Sequence, residues 1–324
     1  MQKRRLGKTD LEVSELSYGT WLTVAGGVDC RQAVRCIHAA LDHGINLFDT
    51  ANQYGAGEAE RVLGEALKSQ PRDRYLIATK LFFPVGDDPA HGLSAAQIEK
   101  QLNNSLQRLQ VECIDLYQCH RYDPETPLEE TLTALDRAVL AGKVRAIGVS
   151  EWTGKQIDTA ENWAARNKIV APASLQSQYS ILWRKPEQGA LEACANHGKG
   201  FLAFSPLAHG VLSGKYRPGQ APPQESRAAN ADMNQFMETA GRHYRSDFVL
   251  EPVERLRPIA EELGVTMAQM ALAWILQRPG VTSAIIGATR PEQIAENVGA
   301  TEVHLSADVL ERIDKIVGAV VTRD

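Results

Sequence analysis

Asp49, Tyr54, Lys80 and His120 are side chains of the types that together could make a phenol a working proton donor. A tyrosine with a pKa near ~10 is a poor acid at neutral pH, and a neighbouring ammonium favours its ionised form. Each unit of lowering corresponds to about 1.4 kcal/mol of differential stabilisation. Lys80 could supply that field, Asp49 could hold Lys80 charged and oriented, and His120 could share the proton or direct a carbonyl oxygen. The same residue types also fit a buried Tyr-Lys-Asp network that only satisfies its own hydrogen bonds, so residue types alone leave both arrangements open.

What brings such residues together is the pattern around them. Short apolar, β-rich runs occur at 16–18, 45–48, 75–78, 113–117, 144–149, 173–176, 200–204 and 281–286. Between most of them lie stretches of helical periodicity, for example Ala33/Ile37/Ala40/Leu41 and Ile98/Leu102/Leu106/Leu109. Strands alternating with helices call for a parallel sheet covered by helices, and eight such units close into a (β/α)8 TIM barrel. An open doubly wound sheet competes, but its Gly-x-Gly-x-x-Gly after the first strand is missing: Gly55-Ala56-Gly57 has Glu60 at the third position. Residues 3–14 read as an N-terminal β-hairpin whose turn contains Gly7-Lys8-Thr9-Asp10. The interval 216–245, after the seventh strand, is long and rich in Pro, Gln, Ala and Asn, and reads as an active-site lid or a loosely ordered excursion. Helices are expected at 253–263, 267–276 and about 307–316, with Gly264 stopping the first. The expected organisation is one barrel domain over residues 1–324.

The residue just past each strand tests this organisation. Asp49, Lys80, His120 with Arg121, Ser150 with Glu151, Gln176 and Ser205 all follow strands and would face the C-terminal mouth, where barrel enzymes place their chemistry. Polar residues also begin ordinary loops, so the weight lies in the combination.

Composition narrows the class. Of the 324 residues, 44% are hydrophobic and 23% charged, which suits a soluble protein with a large core. A net charge of -5 disfavours a nucleic-acid or anionic-membrane partner. No apolar run approaches the ~18 residues a membrane span needs. Five cysteines, none in a Cys-x-x-Cys pair, suggest reduced thiols and a cytoplasmic setting, so the Asn103-Asn104-Ser105 sequon reads as a chance match. His120 and Asp49 alone are too few ligands for a metal hydrolase, and no metal is expected. Gly210-Val211-Leu212-Ser213-Gly214-Lys215-Tyr216 falls one residue short of a P-loop and ends in a tyrosine that cannot hold magnesium. Composition leaves a homo-oligomer open.

Gly19-Thr20-Trp21, Asn46-Leu47-Phe48-Asp49-Thr50-Ala51, Gln53-Tyr54-Gly55, Ala78-Thr79-Lys80, Asp115-Leu116-Tyr117-Gln118-Cys119-His120-Arg121, Phe204-Ser205-Pro206-Leu207 and Gly287-Ala288-Thr289-Arg290 occur in an order that resembles the aldo-keto reductase superfamily. Within it the chain is most similar to the branch of potassium-channel β subunits and their bacterial relatives. The resemblance runs essentially end to end. It implies an (α/β)8 barrel binding a nicotinamide dinucleotide in an extended pose across its mouth. It also implies Tyr54 as general acid, with Asp49, Lys80 and His120 completing a tetrad. The channel subunits carry asparagine at the histidine position, so His120 favours a working reductase over a redox sensor.

The same resemblance implies the cofactor contacts. Gly19, Thr20, Trp21 and Asp49 match cofactor-binding positions, Ser150 and Gln176 match the groups that bond the carboxamide, and Phe204 the aromatic that stacks on the nicotinamide. Ser205, Pro206, Leu207, Lys215 and Arg227 match the pyrophosphate region. Gly287, Thr289, Arg290, Gln293, Glu296 and Asn297 match the segment that grips the 2′-phosphate and adenine. Relatives outside the branch often have lysine at Gly287 and arginine at Gln293, so a preference for NADPH rests largely on Arg290, with NADH the weaker alternative. Glu151 is a departure, since an amide or basic residue is common there. Trp21, Tyr54, Phe82, Phe83 and His120, with Tyr122 nearby, would line a pocket for a small or flat carbonyl substrate. The expected reaction is NADPH-dependent reduction of aldehydes or ketones. The alternative is a nucleotide-binding regulatory subunit with little turnover.

Overall fold

The computed structural model describes residues 1–21, 29–224, 226–229 and 243–323. Strands β1 (Lys3–Arg5) and β2 (Glu12–Ser14) form an antiparallel hairpin. Eight parallel strands then close into a barrel: β3 (Leu16–Gly19), β4 (Leu47–Asp49), β5 (Leu76–Leu81), β6 (Ile114–Cys119), β7 (Val144–Ser150), β8 (Ser174–Gln178), β9 (Gly200–Phe204) and β10 (Val281–Ile286). Each pairs with its sequence neighbour, and β10 closes the ring onto β3. The eight apolar runs therefore all become barrel strands.

Helices α1 (Cys30–Asp42), α2 (Glu58–Leu67), α3 (Ala95–Leu109), α4 (Leu128–Leu140), α5 (Gly154–Asn167) and α6 (Ala190–His197) fill the crossovers. Each starts for a local reason where its cap allows. Asp29 accepts from the amides of Arg31 and Gln32 ahead of α1, and Thr153 and Gln156 form a reciprocal capping box at α5. The helix expected at 253–263 is two pieces, Asp247–Glu254 and Arg257–Glu262. Pro258 supplies the break: it lacks the amide that would continue the first piece and suits the first turn of the second. Gly264, at φ +68°, follows as the expected stop, and helices Met267–Leu276 and Ala307–Val317 lie where periodicity put them. Among the described residues no single helix is long and apolar enough to cross a membrane.

Two layers inside the barrel explain how the site is carried. At the closed end, Leu47, Ala78, Leu116, Ala146, Leu202 and Ile285 pack with Leu6, Leu11 and Val13 of the hairpin, which plugs the floor. Side chains of a strand alternate faces, so the residue two further on returns to the interior. From Leu47, Ala78 and Leu116 that step gives Asp49, Lys80 and Gln118, and from Ser174 it gives Gln176, all of them buried. Apolar residues thus fill the lower barrel and polar ones the next layer up, toward the mouth. Gly148 keeps that layer open, because a Cβ there would stand 2.7 Å from Ser174 Oγ.

Candidate active site

The polar layer is centred on Lys80, which is fully buried at the end of β5. Its ammonium donates to Asp49 Oδ1 (2.6 Å), to the Thr50 carbonyl (2.8 Å) and to Tyr54 Oη (3.4 Å). The second carboxylate oxygen, Asp49 Oδ2, accepts from Gln176 Nε2 (2.7 Å) and Gln118 Nε2 (3.4 Å). A buried ion pair is costly to desolvate unless its remaining donors and acceptors are met, and here they are. Burial alone would lower the Lys80 pKa, but Asp49 and Tyr54 together hold it above the usual lysine value, so Lys80 stays an ammonium.

Tyr54 reaches this ammonium through an unusual turn. It opens the 3-10 turn Tyr54–Gly57, in which Gly55, Ala56 and Gly57 all adopt positive φ (57°, 55° and 91°) before α2 begins. Two glycines make the sequence cheap to bend this way, and Ala56 carries the strained position. Burial raises the Tyr54 phenol above its ordinary pKa, and Lys80 only partly offsets this. The lowering that an adjacent ammonium suggested is therefore outweighed by desolvation, and in this structure the phenol is held firmly protonated.

His120 follows β6 and lies edge-on to the Tyr54 ring, with centroids 5.8 Å apart. Burial, then the charges of Lys80 and Arg121, push its imidazole well below its ordinary value, so it is neutral at physiological pH. A neutral imidazole can direct a carbonyl oxygen but is no store of a second proton. Its buried Nδ1 has no hydrogen-bond partner among the described residues. Phe83 packs edge-on to His120 (5.1 Å) and to Phe82 (5.0 Å), and Trp21 tilts against Tyr54 (6.4 Å). The expected aromatic wall is thus assembled, except that Tyr122 turns onto Trp152 (4.9 Å).

The expected cofactor residues ring the same mouth. Thr20 bonds through its amide to the Asp49 carbonyl (2.9 Å), and Gly19 pairs with Asp49, where a Cβ would come 2.9 Å from Ile285. Ser150 ends β7 with a buried hydroxyl that has no partner among the described residues, an unspent polar group suited to a carboxamide. Gln176, expected to share that task, is engaged with Asp49 through its amide nitrogen. Phe204 ends β9; Ser205 follows at φ +52°, with Pro206 buried and Leu207 packed against the core.

Lys215 is depressed below its usual value by burial and then by the charges of Arg227 and Arg290, which places three cations within electrostatic reach of one another. Arg227 is pushed down to about 10 by burial and lies over the Trp21 ring (5.7 Å). Neither Lys215 nor Arg227 forms an ion pair with a carboxylate of the described residues, a charge arrangement that fits a polyphosphate. Gln293 holds the adjoining loop: its Oε1 accepts from the Thr289 amide (2.8 Å) and the Arg290 amide (3.2 Å). Gly287 and Arg290 are exposed and Asn297 is buried. Glu296 is exposed, and its carbonyl accepts from Gln269 (2.8 Å). Of the interval 216–245, residues 225 and 230–242 lie outside the described residues, so the lid expectation falls largely there.

Eight parallel strands that deliver a Tyr-Lys-Asp-His constellation to one mouth invite comparison with known proteins. The Aldo/keto reductase family model matches residues 15–318. The chain belongs to the aldo/keto reductase family. As a member, it is 40% identical over 322 residues to a "Probable voltage-gated potassium channel subunit beta" of Arabidopsis thaliana, covering 98% of this chain and 97% of that one. A protein of the same description from Oryza sativa subsp. japonica is 38% identical over the same shares. A "Putative voltage-gated potassium channel subunit beta" of Schizosaccharomyces pombe is 39% identical, with 97% and 92% covered.

Several site residues of this aldo/keto reductase escaped sequence reasoning. Gln118 shares strand parity with His120, a signal that was available. His209 is buried at φ +58°, accepts a hydrogen bond from Arg227, and stands between Trp21 (6.4 Å) and Tyr244 (5.7 Å). Tyr244 Oη in turn accepts from Gln178 Nε2 (3.1 Å), and Glu151 Oε1 accepts from the Gln178 amide (2.7 Å). No local motif announces that chain.

Proposed function

We propose that this aldo/keto reductase reduces aldehydes or ketones with NADPH, Tyr54 delivering the proton. The observation that carries the reading is the Tyr54 phenol, protonated and 3.4 Å from an ammonium that Asp49 holds in place. As negative charge builds on a carbonyl oxygen at the mouth, Tyr54 gives up its proton to that oxygen, and Lys80 stabilises the phenolate left behind. Neutral His120 donates a hydrogen bond that orients the oxygen toward Tyr54. Asp49 keeps Lys80 charged and centred, and Gln118 and Gln176 keep Asp49 from turning.

A nicotinamide dinucleotide held at this mouth would supply the hydride. Ser150, with its unspent buried hydroxyl, would hold the carboxamide end and Phe204 the ring face; Lys215 and Arg227 would face the pyrophosphate, and Arg290 the 2′-phosphate. Arg290 favours NADPH over NADH because the 2′-phosphate is the group that distinguishes them. The free thiols, three of them buried, agree with a cytoplasmic setting.

A second reading has one observation behind it: the similar plant and yeast proteins are described as probable or putative potassium channel β subunits. On that reading the nucleotide stays bound and reports redox state with little turnover. Steady oxidation of NADPH by a panel of short aldehydes, dicarbonyls and aromatic aldehydes supports the reductase. Tight NADPH binding without turnover across the panel supports the subunit.

A further inference from the structure

Arg121 follows His120 at the mouth, and the reduction chemistry gives it no task. Its guanidinium lies over the Phe83 ring, 5.5 Å from the centroid, and Phe83 itself packs on His120. One donor is spent: Arg121 Nη1 bonds the His120 carbonyl (2.6 Å). A guanidinium has five N–H donors in a planar fork, so most of that fork is left over.

No carboxylate of the described residues pairs with it. Asp123, two positions on, is committed elsewhere, accepting from the Leu93 amide (2.8 Å) ahead of α3 and from the Thr126 hydroxyl (2.6 Å) and Glu125 amide (3.0 Å) of its own loop. The other cation of the catalytic layer, Lys80, is balanced by Asp49. Among the described residues Arg121 therefore stands at the substrate side of the mouth as a cation without a carboxylate partner. That charge reaches the reacting position, since it depresses His120 and works against burial at Tyr54. Arg121 is not among the charges that depress Lys215, which are those of Arg227 and Arg290, the cations that the phosphates of a dinucleotide would engage.

We infer that Arg121 recognises an anionic group on the substrate, and that the preferred carbonyl compounds carry a carboxylate in addition to the aldehyde or ketone. The Phe83 face fixes the plane of the fork, and a planar carboxylate meets it through two parallel hydrogen bonds. The inference rests on the proposed reductase reading and deepens it by naming a substrate class.

The test compares isosteric pairs, 4-formylbenzoate against 4-formylbenzamide and 3-formylbenzoate against 3-formylbenzamide, by NADPH oxidation at low ionic strength. A charge-assisted bidentate contact predicts kcat/KM about tenfold to a hundredfold higher for the acid in at least one pair. Arg121→Met should bring that ratio down by at least about tenfold, and Arg121→Lys, which keeps charge but not the fork, should fall between. Turnover of all four compounds with no preference for either acid in the native protein overturns the inference alone. A ratio that survives in Arg121→Met overturns it too. No turnover of any of the four while short aldehydes or dicarbonyls are reduced overturns this inference alone; no turnover of these four or of any compound in the wider carbonyl panel overturns the reductase reading and this inference with it. The native ratios test the substrate class even if Arg121→Met fails to fold, and Arg121→Lys then tests the residue.

Discussion

The Lys80 ammonium lies 3.4 Å from the Tyr54 oxygen and 5.0 Å from the centre of its ring, so the charge sits at the hydroxyl end of the phenol. The contact is long for a hydrogen bond to a neutral phenol, and it shortens naturally as the oxygen becomes anionic. Lys80 thus does more for the phenolate than for the phenol. An interaction that strengthens as charge develops is the kind that accelerates a reaction.

The pH dependence follows from the same two side chains. Tyr54 is raised above its ordinary value of 10 and His120 lies well below its ordinary 6.5. Reduction needs the phenol protonated and the imidazole neutral, so kcat/KM should be flat from 6.5 to about 10 and fall only at higher pH. An alkaline midpoint below about 9 would mean that Lys80 outweighs burial after all. The imidazole also bears on stability. Its depressed value means that the unfolded chain binds the extra proton, so stability present above 6.5 declines as pH falls toward the folded value.

The Tyr54 turn is braced from behind by a second buried ion pair. Glu60, fully buried on α2, accepts from Arg108 Nε (2.6 Å) on α3 and from Thr79 Oγ1 (2.5 Å), next to Lys80. Arg108 in turn lies against Gly57, where a Cβ would come 2.8 Å from its Cδ. Arg108→Met strands the Glu60 carboxylate and should cost roughly 3–5 kcal/mol of stability. The double change with Glu60→Gln should recover much of it. Thermal and urea unfolding of both variants check this, and a single-variant loss under about 1 kcal/mol would contradict it.

The proposed NADPH preference rests on Arg290. Arg290→Ala should weaken NADPH binding by about tenfold to a hundredfold and NADH binding far less, since only the former carries the 2′-phosphate. Fluorescence titration with both nucleotides measures it. Equal losses would remove Arg290 from the role.

The barrel could be read in the sequence because each strand is a short apolar run that stops at a polar residue, and the alternation of runs and helices is local. Asp49, Lys80, His120 and Ser150 were visible for the same reason, as residues at or just past strand ends. Glu60, by contrast, drew notice only as a position where a glycine motif failed. Its partner Arg108 is 48 positions away, and nothing local couples them. His209 was hidden in another way: its role depends on a left-handed backbone at a non-glycine residue, which tertiary packing imposes and propensity opposes. The sequence shows the charge of Lys80 that could lower the Tyr54 pKa, but not the burial that raises it, because residue types reveal the neighbouring charge and not the depth of burial.

Tyr54→Phe is the most direct measurement, since it removes one oxygen and keeps the ring that packs against Trp21 and His120. Stopped-flow mixing of the NADPH-loaded protein with 4-formylbenzamide should show rapid oxidation in the native chain. In the variant it should be slower by about 10²–10⁴-fold, with NADPH affinity nearly unchanged. Oxidation in Tyr54→Phe within about threefold of native would contradict the assignment of Tyr54 as the proton donor.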